Sequence, residues 1–255
     1  QNAGFAPDYS LPNPARYQLP GSSSTISNSG GGTCGPGETV TLQTAFVLSC
    51  NIPFAELGVQ MGESKLADMA TAFGFGKGID VPMTVEPSVF PRGLDDAQLA
   101  LSSFGQSSVR ASPMQIVELS MAVANGGKIM QPTLVDEIRA PDLTKLHSFE
   151  PKEQSQPLAS ITSSTLSSWM VEAVNNGAAS NARMGGVSVA GKTGTAENGV
   201  GDPYTLWFTG FAPADNPQVA VAVVVEDGGG LGQSGAGNTV AAPIAKKVLE
   251  AVLNR

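Results

Sequence analysis

The chain has 255 residues, of which 41% are hydrophobic and only 14% charged, with a formal net charge of −8. That size and apolar content suffice to bury a substantial core in one or two closely joined units. The acidic balance argues against a nucleic-acid partner, because no basic stripe exists to neutralise phosphate, and no apolar run reaches membrane-spanning length.

Gln1 to Thr33 is rich in Pro, Gly, Ser and Asn and predicts a surface loop, so that residues 1–40 form a loop-rich opening. From Thr41 to Gly58 the apolar residues Leu42, Ala45, Phe46, Leu48 and Ile52 cover one face of a helix-compatible stretch. Further helices are expected over Lys65 to Phe73 and Pro113 to Ala124. Ser112 and Pro113 supply a cap and a first-turn residue, and Asn125-Gly126-Gly127 a stop. Residues 41–130 therefore read as a helical lobe. A connector with several prolines, Ile129 to Ser160, leads to a helix near Ser163 to Asn176, and residues 131–180 form this connector and helix; Trp169, Val171 and Val174 are its core candidates. Residues 181–255 read as strands Val187 to Lys192, Thr205 to Ala212 and Gln218 to Val225, closed by a helix from Val240 to Leu253. Asp215-Asn216-Pro217 is a turn signal, and short connections make the strands antiparallel. The fold class is α/β in the α+β sense: a helical lobe plus an antiparallel sheet flanked by helices.

Two motifs carry chemistry. In Val189-Ala190-Gly191-Lys192-Thr193-Gly194-Thr195, Lys192 projects from the end of the expected strand with two hydroxyls beside it. An ammonium flanked by Thr193 and Thr195 is a donor cluster suited to a carboxylate. Gly194 lets backbone come close to a ligand, and the Thr195 amide can face a developing oxyanion. The same residues also suit a turn at a strand end. In Ser49-Cys50-Asn51, the serine and asparagine would diverge by about 200° on a continuous helix. Convergence on one ligand needs a chain turn there, which Pro53 supports; simple helix caps are the other reading.

Together these resemble the Ser-x-Asn and Lys-Thr-Gly boxes of penicillin-binding proteins and class A β-lactamases. Phe73-Gly74-Phe75-Gly76-Lys77-Gly78-Ile79-Asp80, Gly105-Gln106 with Ala111-Ser112-Pro113-Met114-Gln115, Ala124-Asn125-Gly126-Gly127 and Trp207-Phe208-Thr209-Gly210-Phe211-Ala212-Pro213 all resemble stretches of class B penicillin-binding protein transpeptidase domains, in one order. The resemblance implies the penicillin-binding/β-lactamase-like fold. It also implies a nucleophilic serine in a Ser-x-x-Lys box upstream of Ser-x-Asn, yet no lysine here has a serine three residues before it. Ser107 has Arg110 at that spacing, but guanidinium stays protonated and cannot be the base. The expectation is a C-terminal portion of a longer transpeptidase whose nucleophile lies ahead of Gln1; the rival is a pseudoenzyme. In the family two earlier strands complete the sheet beside the third strand above, so Gln218 to Val225 would be a bare, hydrophobic edge.

The resemblance further implies a peptidoglycan D,D-transpeptidase acylated by β-lactams. Ser49 would relay a proton, Asn51 would hold the acyl-side backbone, and Lys192 would supply positive potential. Thr193 and Thr195 would bind the substrate carboxylate, and Gly194 would permit its approach. Its partners would be peptidoglycan stem peptides, β-lactams, the upstream segment and other cell-wall synthesis or division proteins. It would work at the extracytoplasmic face of the membrane, anchored by a segment ahead of this chain. There Cys34 and Cys50 suggest a disulfide tying the Gly-rich loop to the Ser-x-Asn turn, the alternative being two reduced thiols. No cofactor or metal is called for, since two cysteines and His147 are too few ligands. Glu86, Glu118 and Glu137 lack the Glu-x-x-Leu-Asn context of a class A β-lactamase. A D,D-carboxypeptidase and a non-catalytic β-lactam or muropeptide sensor stay open.

Overall fold

A computed structural model describes residues 5–254. The opening segment is mostly loop, with short strands and a few buried residues set into it. It forms β1 (Ser10–Pro12), β2 (Tyr17–Gln18), β3 (Thr25–Ile26) and β4 (Thr39–Thr41), with β1 paired to β4 and β2 to β3. Leu11, Leu19 and Cys34 are buried within it. Asn13 accepts from the Cys34 amide and donates to the carbonyls of Cys34 and Gly37, so one side chain serves the backbone of a whole loop. Composition alone hid this, because loop residues that hydrogen-bond inward read the same as those that face water.

The helical lobe holds α1 (Leu42–Leu48), α2 (Ile52–Met61), α3 (Glu63–Ala72), α4 (Asp96–Ser102) and α5 (Pro113–Ala124). Thr41 caps α1 by accepting from the Thr44 amide, and Ser112 caps α5 by accepting from the Gln115 amide. The sequence reading missed α4, whose signal is a capping box: Asp95 accepts from the Gln98 amide and the Gln98 side chain accepts from the Asp95 amide. The connector is more ordered than its prolines imply. It contains β5 (Ile129–Met130), β6 (Glu137–Arg139), β7 (Lys145–Ser148) and β8 (Glu153–Ser155), pairing β5 with β8 and β6 with β7. Then comes α6 (Ser160–Asn176), one turn longer at its start than expected.

The sheet is built from β9 (Ala190–Ala196), β10 (Thr205–Ala212) and β11 (Val219–Val225), all antiparallel, in the order β11-β10-β9. It is followed by α7 (Ala241–Leu253). Alternation along β10 sends Phe208 and Ala212 into a core with Ala241, Ala242, Ala245 and Leu249 of α7, and Phe211 into a second core with Met170 of α6 and Val123 of α5. Both faces of the sheet are thus covered, which is why Thr205 to Ala212 has no polar face. Val174 and Trp169 are core residues as expected.

One boundary needs correction. The expected strand Val187 to Lys192 begins instead at Ala190 and runs on to Ala196, so Lys192-Thr193-Gly194 lies within β9 and not at its end. The cause is register: Lys192, Thr193 and Gly194 stand opposite Thr209, Phe208 and Trp207, and the long apolar β10 carries its partner past the motif.

Candidate active site

The first wall of the site is the break between α1 and α2. Ser49 ends α1 in the left-handed region, at φ 58° and ψ 47°, and Pro53 sits in the first turn of α2. A left-handed serine costs on the order of 1–3 kcal/mol and persists only where its surroundings impose it. Two features do so. Cys34 and Cys50, separated by 16 positions, form a disulfide. Asn28 Oδ1 accepts from the amides of both Asn51 and Ile52, at 3.0 Å each. The backbone is therefore fixed on either side of Ser49, and the turn required for Ser49 to meet a distant ligand is present.

Lys192 of β9 meets that turn. Its Nζ donates to Ser49 Oγ at 2.5 Å and to the Thr193 carbonyl at 2.9 Å. It also lies 5.8 Å from the centre of the Phe46 ring, an arrangement that favours a cation. Burial acts the other way and lowers the Lys192 pKa to about 8. As the donor to Ser49 Oγ, the ammonium stabilises negative charge that develops on that oxygen.

The two threonines, equal in sequence, differ in place. Thr193 Oγ1 donates to the Ala178 carbonyl at 3.1 Å, which commits its proton to the protein. Thr195 Oγ1 accepts from the Gly237 amide at 3.2 Å, which leaves its own proton free to point at a ligand. Gly237 can approach this closely only without a side chain: a Cβ there would stand 2.5 Å from the carbonyl oxygens of Gly194 and Trp207. Gly194 itself faces Trp207 across the sheet, where an added Cβ would come within 3.2 Å of the Trp207 Cβ. Its glycine is thus explained partly by packing.

The Thr195 carbonyl accepts from Gln106 Nε2 at 3.3 Å, so the Thr195 peptide groups face away from β10. Its N–H lies on this same outer edge, the edge beside Ser49 and Lys192. Asn51 stands at the head of α2, and its Nδ2 donates to the Ser27 carbonyl at 3.0 Å. Ser49, Lys192, Thr193, Gly194 and Thr195 thus form one continuous strip, with Asn51 adjoining it through the turn. Sequence reasoning misses Asn28, Phe46 and Gln106 as site residues. Gln106 enters it only as part of a family stretch, and the other two carry no pattern that separates them from ordinary loop or core residues.

A family model described as the penicillin-binding protein transpeptidase domain matches residues 2–250. The chain belongs to the penicillin-binding protein transpeptidase family. A curated relative of this family, the peptidoglycan D,D-transpeptidase PbpA of Mycolicibacterium smegmatis, is 40% identical over 98% of this chain and 52% of its own length. Penicillin-binding protein A of M. tuberculosis, solved as a ceftriaxone acyl-enzyme complex, superposes with a TM-score of 0.93 at 37% identity, over 98% of this chain and 57% of that one. The D,D-transpeptidase domain of a peptidoglycan glycosyltransferase from Eggerthella lenta gives a TM-score of 0.86 at 31% identity, over 98% and 60%. The chain spans about half the length of the curated PbpA relatives it matches. The penicillin-binding transpeptidase fold expected from the boxes is therefore the fold observed. Among the described residues no helix is long and apolar enough to cross a membrane.

Proposed function

We propose that this chain supplies most of the cleft of a peptidoglycan D,D-transpeptidase whose nucleophilic serine lies on a segment ahead of Gln1. That serine, activated by the lysine of its own box, attacks the carbonyl of the penultimate D-alanine of a stem peptide. The new C–O bond replaces the peptide C–N bond, and the terminal D-alanine leaves after taking a proton through Ser49. An amine of a neighbouring stem then displaces the serine, which regains its proton. Lys192 favours the deprotonated state of Ser49 and draws the substrate carboxylate, which the Thr195 hydroxyl bonds at once and the Thr193 hydroxyl after releasing Ala178. The Thr195 amide is half of the oxyanion hole, and the free valences of the Asn51 carboxamide hold the acyl-side backbone. β-Lactams acylate the same serine.

The observation that carries this reading is the contact of Lys192 Nζ with Ser49 Oγ, two groups 143 positions apart, beside an outward-facing Thr195 peptide. The names of the mycobacterial relatives and the acyl-enzyme nature of the structural neighbour support it. An upstream companion is supported by two surfaces. β11 pairs with β10 alone among the described residues, and Ile244, Val248 and Val252 leave an apolar stripe on α7. The whole protein would act at the extracytoplasmic face of the membrane, on its own anchor and beside other cell-wall synthesis and division proteins. Intact-mass spectrometry of the full-length protein before and after incubation with benzylpenicillin tests the reading. One added penicillin per chain is expected, and a mass that does not change would sink it.

A further inference from the structure

We infer that Gln106 is a specificity-determining positioning residue: its carboxamide caps the substrate edge of β9, so that an acyl donor can pair its backbone with Thr195 and no further. The inference rests on the transpeptidase reading and extends it to how the donor chain is held.

The outer edge of β9 carries the N–H and C=O of Thr195, and two residues on, those of Glu197. Gln106 lies just past α4, and its side chain reaches this edge with both ends: Nε2 donates to the Thr195 carbonyl at 3.3 Å, and Oε1 accepts from the Glu197 amide at 3.3 Å. A carboxamide used this way stands in for one peptide group of an added strand. It is the only side chain among the described residues given a hydrogen bond to either of those two backbone groups.

Consider a peptide added antiparallel to β9. The residue opposite Thr195 places its carbonyl on the Thr195 N–H, the proposed oxyanion site, and its own N–H on the Thr195 carbonyl. Its C-terminal side then runs towards Thr193 and Lys192, where the carboxylate is drawn. Its N-terminal side runs towards Glu197, and the residue two positions earlier would pair there next. The Thr195 carbonyl has a second lone pair and can accept from the substrate while it keeps Gln106. The Glu197 N–H has one proton, and Gln106 holds it. The donor therefore keeps a single two-bond rung at its reacting residue, and the rest of its chain is turned off the sheet. This selects for a short recognised unit at the C-terminus of a longer and chemically varied chain.

The test uses the full-length protein, its Gln106→Ala and Gln106→Glu variants, benzylpenicillin, and two D-alanyl thioesters. One thioester has a benzoyl group directly on the acyl residue, and the other carries two further residues there. Removing the cap frees the Glu197 N–H. In Gln106→Ala the long-to-short ratio of acylation efficiency should rise by about fivefold, the effect of one exposed hydrogen bond, through tighter binding and not a faster acylation step. Gln106→Glu keeps the acceptor for Glu197 and should keep the original ratio. Amide exchange at Glu197 should quicken in the alanine variant and not in the glutamate one. An unchanged ratio in Gln106→Ala overturns the inference while leaving the transpeptidase reading intact. Failure of benzylpenicillin to acylate the unaltered protein overturns both.

Discussion

Two titratable residues, Glu118 buried and Lys192 partly buried, set opposite slopes of stability with pH. Glu118 on α5 is 1% exposed, its Oε2 accepts from Gln115 Nε2, and its Oε1 has no hydrogen-bond partner among the described residues. Desolvation pushes its pKa up from 4.5 to about 7. The folded chain therefore binds more protons than the unfolded chain between those values, and stability falls as pH rises through them. Lys192 is the reverse case. Its pKa drops from 10.5 to about 8 on folding, so the unfolded chain binds more protons in that interval and stability rises from pH 8 to 10.5. Urea denaturation across pH should show both limbs. Glu118→Gln should remove the falling one, on the order of 3 kcal/mol, and Lys192→Met the rising one. A falling limb that survives Glu118→Gln would mean that another carboxyl is responsible.

At the scale of elements, the α1–α2 break is held from outside itself. Neither helix has reason to stop at a left-handed serine; the Cys34–Cys50 disulfide and the Asn28 carboxamide hold the chain there. Reduction should cost about 3 kcal/mol of stability, the value expected for a loop of this length in the chain-entropy model. It should also slow acylation by penicillin more than Tm loss explains, because Cys50 lies between Ser49 and Asn51. Acylation rates measured below the reduced protein's unfolding range, with and without reductant, check this; equal rates would mean that Asn28 alone suffices.

At the scale of the whole molecule, the sheet leaves the outer edge of β11 without a partner strand among the described residues. Phe208 and Gly210 stand opposite Val223 and Val221, and Lys192 and Gly194 stand opposite Thr209 and Trp207. Since β10 turns the peptide groups of Thr209 and Trp207 towards β9, those of Phe208 and Gly210 turn towards β11. This leaves Ala220, Ala222 and Val224 with N–H and C=O groups on the outer edge of β11. A hydrophobic edge strand of this kind recruits another strand. Residues 1–255 alone should self-associate in sedimentation velocity, and Ala222→Pro should reduce this without breaking the β10 ladder, since it removes only an outward N–H. In the full-length protein the same substitution should instead lower Tm. If it leaves both unchanged, the edge is not a docking surface.

Local chemistry was legible in the sequence. Ser112-Pro113 and Asn125-Gly126 marked the ends of α5, Pro53 marked the turn after Ser49, and alternating turn and apolar runs gave three antiparallel strands in the right order. The two boxes named residues that the structure brings together, Lys192 of β9 meeting Ser49 at the α1–α2 turn. The sequence by itself thus determined the family, most of the helices, the order of the three-stranded sheet and the residue types of the two boxes. Only the tertiary structure decided how those groups are poised. It put Lys192 inside β9, because the partner strand sets register. It committed the Thr193 proton to Ala178 and freed that of Thr195 through Gly237, and it brought Gln106 onto the edge of the same strand. These are hydrogen bonds between residues distant in sequence, and their direction depends on packing that no local pattern encodes.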